Sequence, residues 1–332
     1  MTGACLGLWA AITIAVAGPA TSPEYLPLHV AQAEGYFASE KVDVTLKVEQ
    51  SESEAALSLA RGRADVAATS LDAAYRLGHV KGSPPPLLFG LTAAPPVAVL
   101  LSPNHKDTIR SPAELRGQPV GLPGVGTPEQ TMLATILSRA GVKIHQVPLR
   151  TFSNRGLAGA LAQGEVAAGV MADPWVTRLV EDRTAFVLAD LRSRSDAARW
   201  LGAETVHAAV FVRADGKRDD QELAALSRAL LRAVAKVVET PAGALASVLP
   251  ASVTGQPAAA GQASDFALRV GGSRQSYLPR GRVTEDMLKA SLAQARERSP
   301  LPAAVKLPWW RWSPLLLTGP LDRAPGPGEP PR

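Results

Sequence analysis

Leu161-Ala162-Gln163-Gly164-Glu165-Val166-Ala167-Ala168-Gly169-Val170-Met171-Ala172-Asp173-Pro174-Trp175 is the stretch that decides the fold. Leu157, Ala160 and Leu161 recur at helical spacing and close a short amphipathic run. Gly164 supplies the left-handed position at which helices commonly stop. Residues 166–171 are small, apolar and uncharged, the pattern of a strand covered on both faces. The chain leaves them at Asp173-Pro174-Trp175, a rigid tip that is both polar and aromatic. In open parallel sheets such carboxyl-end tips face a ligand crevice.

The phrase occurs twice. Leu59-Ala60-Arg61-Gly62-Arg63-Ala64-Asp65-Val66-Ala67-Ala68-Thr69-Ser70 repeats the Leu-Ala-x-Gly turn, the small apolar strand and the polar tip. Two such units predict two α/β lobes whose tips face each other. A chain of 332 residues also exceeds a typical single core. A hydrophobic fraction of 46% fits a globular protein. The net charge of +5 comes from interspersed Lys/Arg and Asp/Glu without a basic stripe, so nucleic acid is not an expected partner. The single Cys5 excludes an internal disulfide.

Alternation and turn signals predict strands at 12–17, 42–48, 66–69, 87–91, 97–101, 120–122, 147–149, 166–171, 185–191 and 206–212. Helix starts are marked by Thr21 with Glu24, Ser51 with Glu54, Ser111 with Glu114, and Thr127 with Gln130, each a capping-box pattern. Long amphipathic helices are expected at 223–238 and 284–295. Residues 97–101 and 206–212 read as crossings between lobes. This predicts lobe I as 12–97 with 213–300, and lobe II as 98–212.

The ends are less regular. Residues 6–17 are apolar enough for a leader core, but no Lys or Arg precedes them. Ile12, Ile14 and Val16 alternate instead, so 12–17 is read as the first strand and 1–11 as a leader remnant or disordered. On this reading the export signal is missing or truncated. Thr2-Gly3-Ala4-Cys5 lies too near Met1 to serve as a lipoprotein leader end, and Cys5 reads as buried or incidental. Residues 301–332 are expected to form a partly disordered tail, with an exposed Trp309-Trp310-Arg311-Trp312 cluster and a segment, 324–332, too rich in Pro and Gly to fold.

Several segments in this order carry a family resemblance. They are Tyr25 to Phe37, the Ala60-Arg61-Gly62-Arg63-Ala64-Asp65 turn, Ile109 to Gly121 with its Ser111-Pro112-Ala113-Glu114-Leu115-Arg116-Gly117 core, and Ala162 to Ala168 with Asp173-Pro174-Trp175. Over roughly residues 12–300 the chain resembles the solute-binding proteins of ABC importers for sulfonates, nitrate and taurine, including the thiamine-pyrimidine-precursor branch. The resemblance implies a two-lobed, type II periplasmic-binding-protein-like α/β fold. Each lobe would be a small sheet flanked by helices, with two segments crossing between them. It further implies a periplasmic or exported, membrane-associated monomer that captures a small solute by hinge closure. An ABC permease and its ATPase would be the partners.

The candidate ligand residues are helix starts at strand ends, where free backbone N–H groups can hold an anion. These are Thr21 and Ser22 with Tyr25 behind them, Ser51 and Glu52, Thr69 and Ser70, and the loop Gly124-Val125-Gly126-Thr127. That loop lacks the Lys-Ser/Thr of a P-loop, which disfavours nucleotides. Phe152, Ser153 and Asn154 form a further tip, and Asp173 and Trp175 close the set. Every Ser and Thr here is also explained as a plain helix cap. Phe152 and Trp175 are equally explained as core, and Asp173 as a backbone cap.

The five histidines are dispersed and offer no metal set, and no cofactor or catalytic triad is indicated. The first expectation is therefore a non-catalytic protein for a sulfonate- or nitrate-like anion. Carboxylates such as Glu24 or Glu52 inside the cleft would instead favour a cationic or pyrimidine-like ligand. The rival reading is an enzyme on the same fold. Menaquinone-pathway dehydratases and thiamine-pyrimidine synthases resemble it, and the latter rely on a cleft histidine. His29 lies too far past the first helix start to fill that place.

Overall fold

The computed structural model describes residues 11–124, 127–216, 219–258, 262–298 and 315–322. The Trp309–Trp312 cluster, Cys5 and residues 323–332 lie outside the described residues. The described residues hold ten strands: β1 Ile12–Val16, β2 Val44–Val48, β3 Val66–Ser70, β4 Leu87–Thr92, β5 Val97–Leu101, β6 Val120–Leu122, β7 Leu149–Thr151, β8 Ala168–Ala172, β9 Phe186–Asp190 and β10 Ala208–Val212. The helices of the first half are α1 Leu26–Ala33, α2 Tyr36–Ser39, α3 Glu52–Ala60, α4 Leu71–Leu77, α5 Pro128–Arg139 and α6 Asn154–Gln163. Those of the second half are α7 Trp175–Glu181, α8 Arg194–Leu201, α9 Asp220–Glu239, α10 Ala242–Val248, α11 Ala251–Thr254, α12 Asp265–Ser273, α13 Glu285–Arg298 and α14 Thr318–Asp322.

The strands form two five-stranded sheets, ordered β2-β1-β3-β10-β4 and β7-β6-β8-β5-β9. Each sheet is the core of one lobe. The repeated phrase explains their likeness, because β3 and β8 occupy the same central place in the two orders. Each follows a helix that stops at a left-handed glycine, Gly62 at φ +67° and Gly164 at φ +75°. A side chain at either site would be strained by the positive φ and would have to displace the end of Arg213 or Asn104, whose Nη1 and Nδ2 a Cβ would approach to 2.1 and 2.3 Å.

The fourth strand of each sheet comes from the other side of a crossing. After β4 the chain passes through Ala93–Ala94–Pro95–Pro96 and enters the second sheet as β5, antiparallel to β8 and β9. After β9 and α8 it returns to the first sheet as β10, antiparallel to β3 and β4. Ala208–Val212 therefore belongs with the first sheet, a correction to the expected boundary at 212. The physical reason is that an apolar strand covered on both faces reads the same whichever sheet receives it. Val97, Val99 and Leu101 pack into one core cluster while Ala98 and Leu100 pack into another, as two-residue periodicity requires.

Two local expectations shift. The seventh strand begins at Leu149 rather than 147. The first helix has no capping box. A 3-10 turn, Pro23–Tyr25, precedes it; Ser22, the N-cap of that turn, makes no side-chain cap bond, and Pro23 has no N–H to offer.

Part of the expected tail is core. Leu315 and Leu321 are buried in the first lobe's cluster. Leu317 N–H donates to Leu87 O at 2.9 Å, so the segment pairs with the exposed edge of β4. It covers the Leu87 end of that edge, whose remainder is bonded to Leu278 and Gly281. Deleting residues 315–332 is expected to lower the melting temperature by several degrees, with Leu321→Ala costing about 2–4 kcal/mol in denaturant unfolding.

Candidate functional site

The tips of both sheets meet across a groove between the lobes. It has two joined chambers of ≈ 350 and ≈ 870 Å³ that share Glu52, Pro95, Pro128, Met132 and His207. The crossing Pro95-Pro96 lies along it. Its place follows from the topology, because parallel strands in each sheet end on this side.

In the small chamber Thr21, Ser22 and Glu24 come from the loop and turn after β1. Glu24 Oε1 lies 3.7 Å from Nε2 of His207, which sits just before β10 at the return crossing. Glu52 opens α3 and lines both chambers. Its carboxylate accepts from the buried Tyr25 hydroxyl at 3.1 Å, and its carbonyl accepts from Thr69 Oγ1 at 2.9 Å. Burial, reinforced by the nearby Glu52 and Glu24 charges, raises the Tyr25 phenol well above its ordinary value. Tyr25 therefore remains a donor and positions Glu52 from below.

Part of the expected anion cradle is used internally. Ser51 Oγ accepts from Glu54 N–H at 3.2 Å, and Ser70 Oγ from Ala73 N–H at 3.3 Å. Leu71 N–H is taken by His207 O at 3.0 Å. Pro128, at the first position of α5, has no N–H, and Gln130 N–H goes to Thr127 Oγ1 at 3.5 Å. Thr127 Oγ1 donates to Gly124 O at 3.1 Å. Val125 and Gly126 lie outside the described residues.

The second-lobe tips divide. Phe152 and Trp175 pack against the cluster formed by β5, β8, α6 and α7, away from the groove. Ser153 caps α6 through Gly156 N–H at 3.2 Å, and Asn154 is the exposed first residue of that helix. Asp173 borders the small chamber, but its side chain is only 2% exposed. Its carboxylate accepts from Thr177 N–H at 2.9 Å, Thr177 Oγ1 at 2.8 Å and Arg192 Nη1 at 2.9 Å. Gly272 of α12, in the first lobe, is pressed on this pair. A Cβ there would stand 1.8 Å from Asp173 Oδ2. Arg178 and Asp265 add an ion pair across the lobes. Asp173 thus acts as a cap and an interlobe contact.

Sequence reading missed His207, Pro95 and the hydroxyl face of α5. The polar residue at the head of an apolar crossing strand was the available signal for His207. His29 is buried on α1 and is not among the groove residues.

Residues 22–244 match the NMT1/THI5-like family. The chain belongs to that family. Solved structures share the fold. A protein of Bordetella bronchiseptica RB50 is similar at 24% identity, covering 95% of this chain and 97% of its own, with a TM-score of 0.70. The periplasmic aliphatic sulphonate-binding protein SsuA of Escherichia coli is similar at 13% identity, with 86% of each chain covered and a TM-score of 0.64. The periplasmic nitrate-binding protein NrtA of Synechocystis PCC 6803 is similar at 14% identity, with 95% and 88% covered and a TM-score of 0.62. No curated protein matches. Among the described residues no helix is long and apolar enough to cross a membrane.

The end of β9 has a titration consequence. Burial alone would raise the Asp190 carboxyl, but hydrogen bonds from the Arg192 side chain and N–H outweigh it and hold the group below its ordinary value. A depressed carboxyl stabilises fully above its unfolded value of about 3.9 and loses that contribution as pH falls through the folded one. Asp190→Asn is expected to flatten the stability loss below about pH 4, read by urea unfolding at a series of pH values.

Proposed function

We propose that this chain is the solute-capturing component of an ABC-type importer, exported from the cytoplasm and serving a permease and its ATPase. The observation that carries the proposal is the groove bordered by strand tips of both sheets, with the two crossings beside it. Closure of the lobes about those crossings would bury the solute. Capture without turnover is the reading that the binding proteins sharing this fold support; the histidine in the groove is His207, beside Glu24, rather than His29. The capture unit comprises the first lobe, which includes β10 and residues 315–322, and the second lobe between the crossings.

Of the two ligand classes, the charges favour the cationic or pyrimidine-like one. Asp173 is paired with Arg192, and Asp72 with Arg76. Glu24 faces His207, and Glu52 presents a carboxylate held by one phenol. A bare sulfonate or nitrate would meet these carboxylates and Glu129, while Arg269, the guanidinium on the same chamber, lies 3.7 Å from Asp265. A head bearing N–H donors or positive charge would satisfy them, at about 1.5–3 kcal/mol for each charge-assisted bond.

Titration calorimetry against taurine, an alkanesulfonate, nitrate, 4-amino-2-methylpyrimidine and benzamidine tests this. Binding is expected for the aminopyrimidine or the amidine, weakened about tenfold or more by Glu52→Gln. Binding of the anions alone would overturn the ligand class and leave capture standing. No binding of any kind would remove both.

A further inference from the structure

The two chambers differ in chemistry, and we propose that the solute is elongated. Its donor-bearing head occupies the small chamber, and an uncharged, largely apolar arm with a hydroxyl or N–H donor occupies the large one. The identity of the head rests on the reading above, whereas the arm is argued from the large chamber alone.

The chambers lie side by side with Glu52, Pro128 and His207 in the walls of both, within reach of one elongated molecule. A nitrate-sized solute is equivalent to a few waters of about 30 Å³ each and would leave most of the ≈ 870 Å³ chamber to solvent. One wall of that chamber is the face of α5 carrying Thr131, Thr135 and Ser138, spread over about 10 Å of helix. Thr131 Oγ1 donates to Thr127 O at 3.4 Å, and Thr135 Oγ1 to Thr131 O at 3.1 Å. Their protons are committed to the helix, so the oxygens face the chamber as acceptors.

The opposite wall carries a matched ion pair. Arg76 Nε lies 2.9 Å from Asp72 Oδ2, and Arg76 Nη2 donates to Ala295 O at 2.5 Å. Away from Glu52, which stands at the wall shared with the small chamber and is engaged by the head, a charged arm would lose hydration against charges that are already paired among the described residues. Leu77, Ile144 and Leu201 supply apolar surface for the rest. Acceptors on one side, apolar groups around and no net charge define the arm.

Calorimetry on the full chain with three probes tests the proposal. These are 4-amino-2-methylpyrimidine, the same head with an ω-hydroxyalkyl arm spanning about 10 Å, and that arm ending in a carboxylate. The hydroxyalkyl probe is expected to bind about tenfold or more tighter than the head alone, and the carboxylate probe to lose that gain. Thr135→Phe, which removes the central hydroxyl and puts a ring across that face of the chamber, should return the hydroxyalkyl probe to head-only affinity while leaving the head within about twofold. Ser138→Tyr, at the exposed end of the same face, repeats the test if Thr135→Phe does not fold. An arm that adds nothing, or a gain that survives both substitutions, overturns the elongated solute while the capture reading stands. A wild-type chain that binds no probe overturns both.

Discussion

The structure depends on an exchange of strands. β5 leaves the first half of the chain to become the fourth strand of the second sheet, and β10 makes the opposite journey. Each inserted strand is hydrogen-bonded on both sides, so neither lobe is complete without a segment that has crossed. The crossings are thereby fixed at two points, beside which the groove must open. Pro95 and Pro96 limit the backbone freedom of the first crossing, since proline fixes φ. The second carries His207, whose N–H donates to Thr92 O at 2.9 Å and whose carbonyl accepts from Leu71 at 3.0 Å. The second crossing is tied to both the end of β4 and the start of α4, so the floor of the groove and the top of the first sheet form one hydrogen-bonded piece.

Much of this was legible in sequence. The two Leu-Ala-x-Gly phrases gave the internal symmetry, and left-handed Gly62 and Gly164 give it a physical cause. Capping residues Ser51, Ser70, Thr127 and Ser153 all make their caps. What sequence could not give is direction. β10 is a short apolar run, and nothing in Ala-Ala-Val-Phe-Val says which sheet it joins or that it runs antiparallel. Nor could it separate Phe152 and Trp175 as core from the same residues as groove walls, because an aromatic beside a tip has the same neighbours in sequence either way. Leu315 and Leu321 were hidden for a related reason. A helix of five residues has too few turns to show periodicity.

The same caps explain why the amide rims are a poor anion trap. A serine or threonine that caps a helix consumes an N–H that would otherwise face a ligand. Asp173 shows the matching effect for carboxylates. It borders the chamber, yet three donors and the backbone of Gly272 enclose it. Position at a strand end is therefore insufficient to make a ligand residue. The residue must also retain capacity facing the groove, and Glu52, held by a phenol, retains more than Asp173, held by a guanidinium.

That distinction bears on how capture could move the lobes. A ligand shifts an open–closed equilibrium only by its difference in affinity for the two forms, and a swing from 1:99 to 99:1 needs about 5.5 kcal/mol. Glu24, Glu52 and Tyr25 all belong to the first lobe. A head held by them alone would bind both forms equally and move nothing, however tightly it bound. Asp173, one second-lobe carboxylate at the same chamber, is already saturated. The differential contacts must therefore come from the opposite wall, where α5 contributes Glu129 to the small chamber and Pro128, Gln130, Thr131, Met132 and Thr135 to the large one. Apart from Glu129 these are apolar groups, an amide and hydroxyl acceptors, so much of the free energy of closure would come from burying an uncharged part of the solute. The carboxylates would choose the solute, and the face of α5 would close on it.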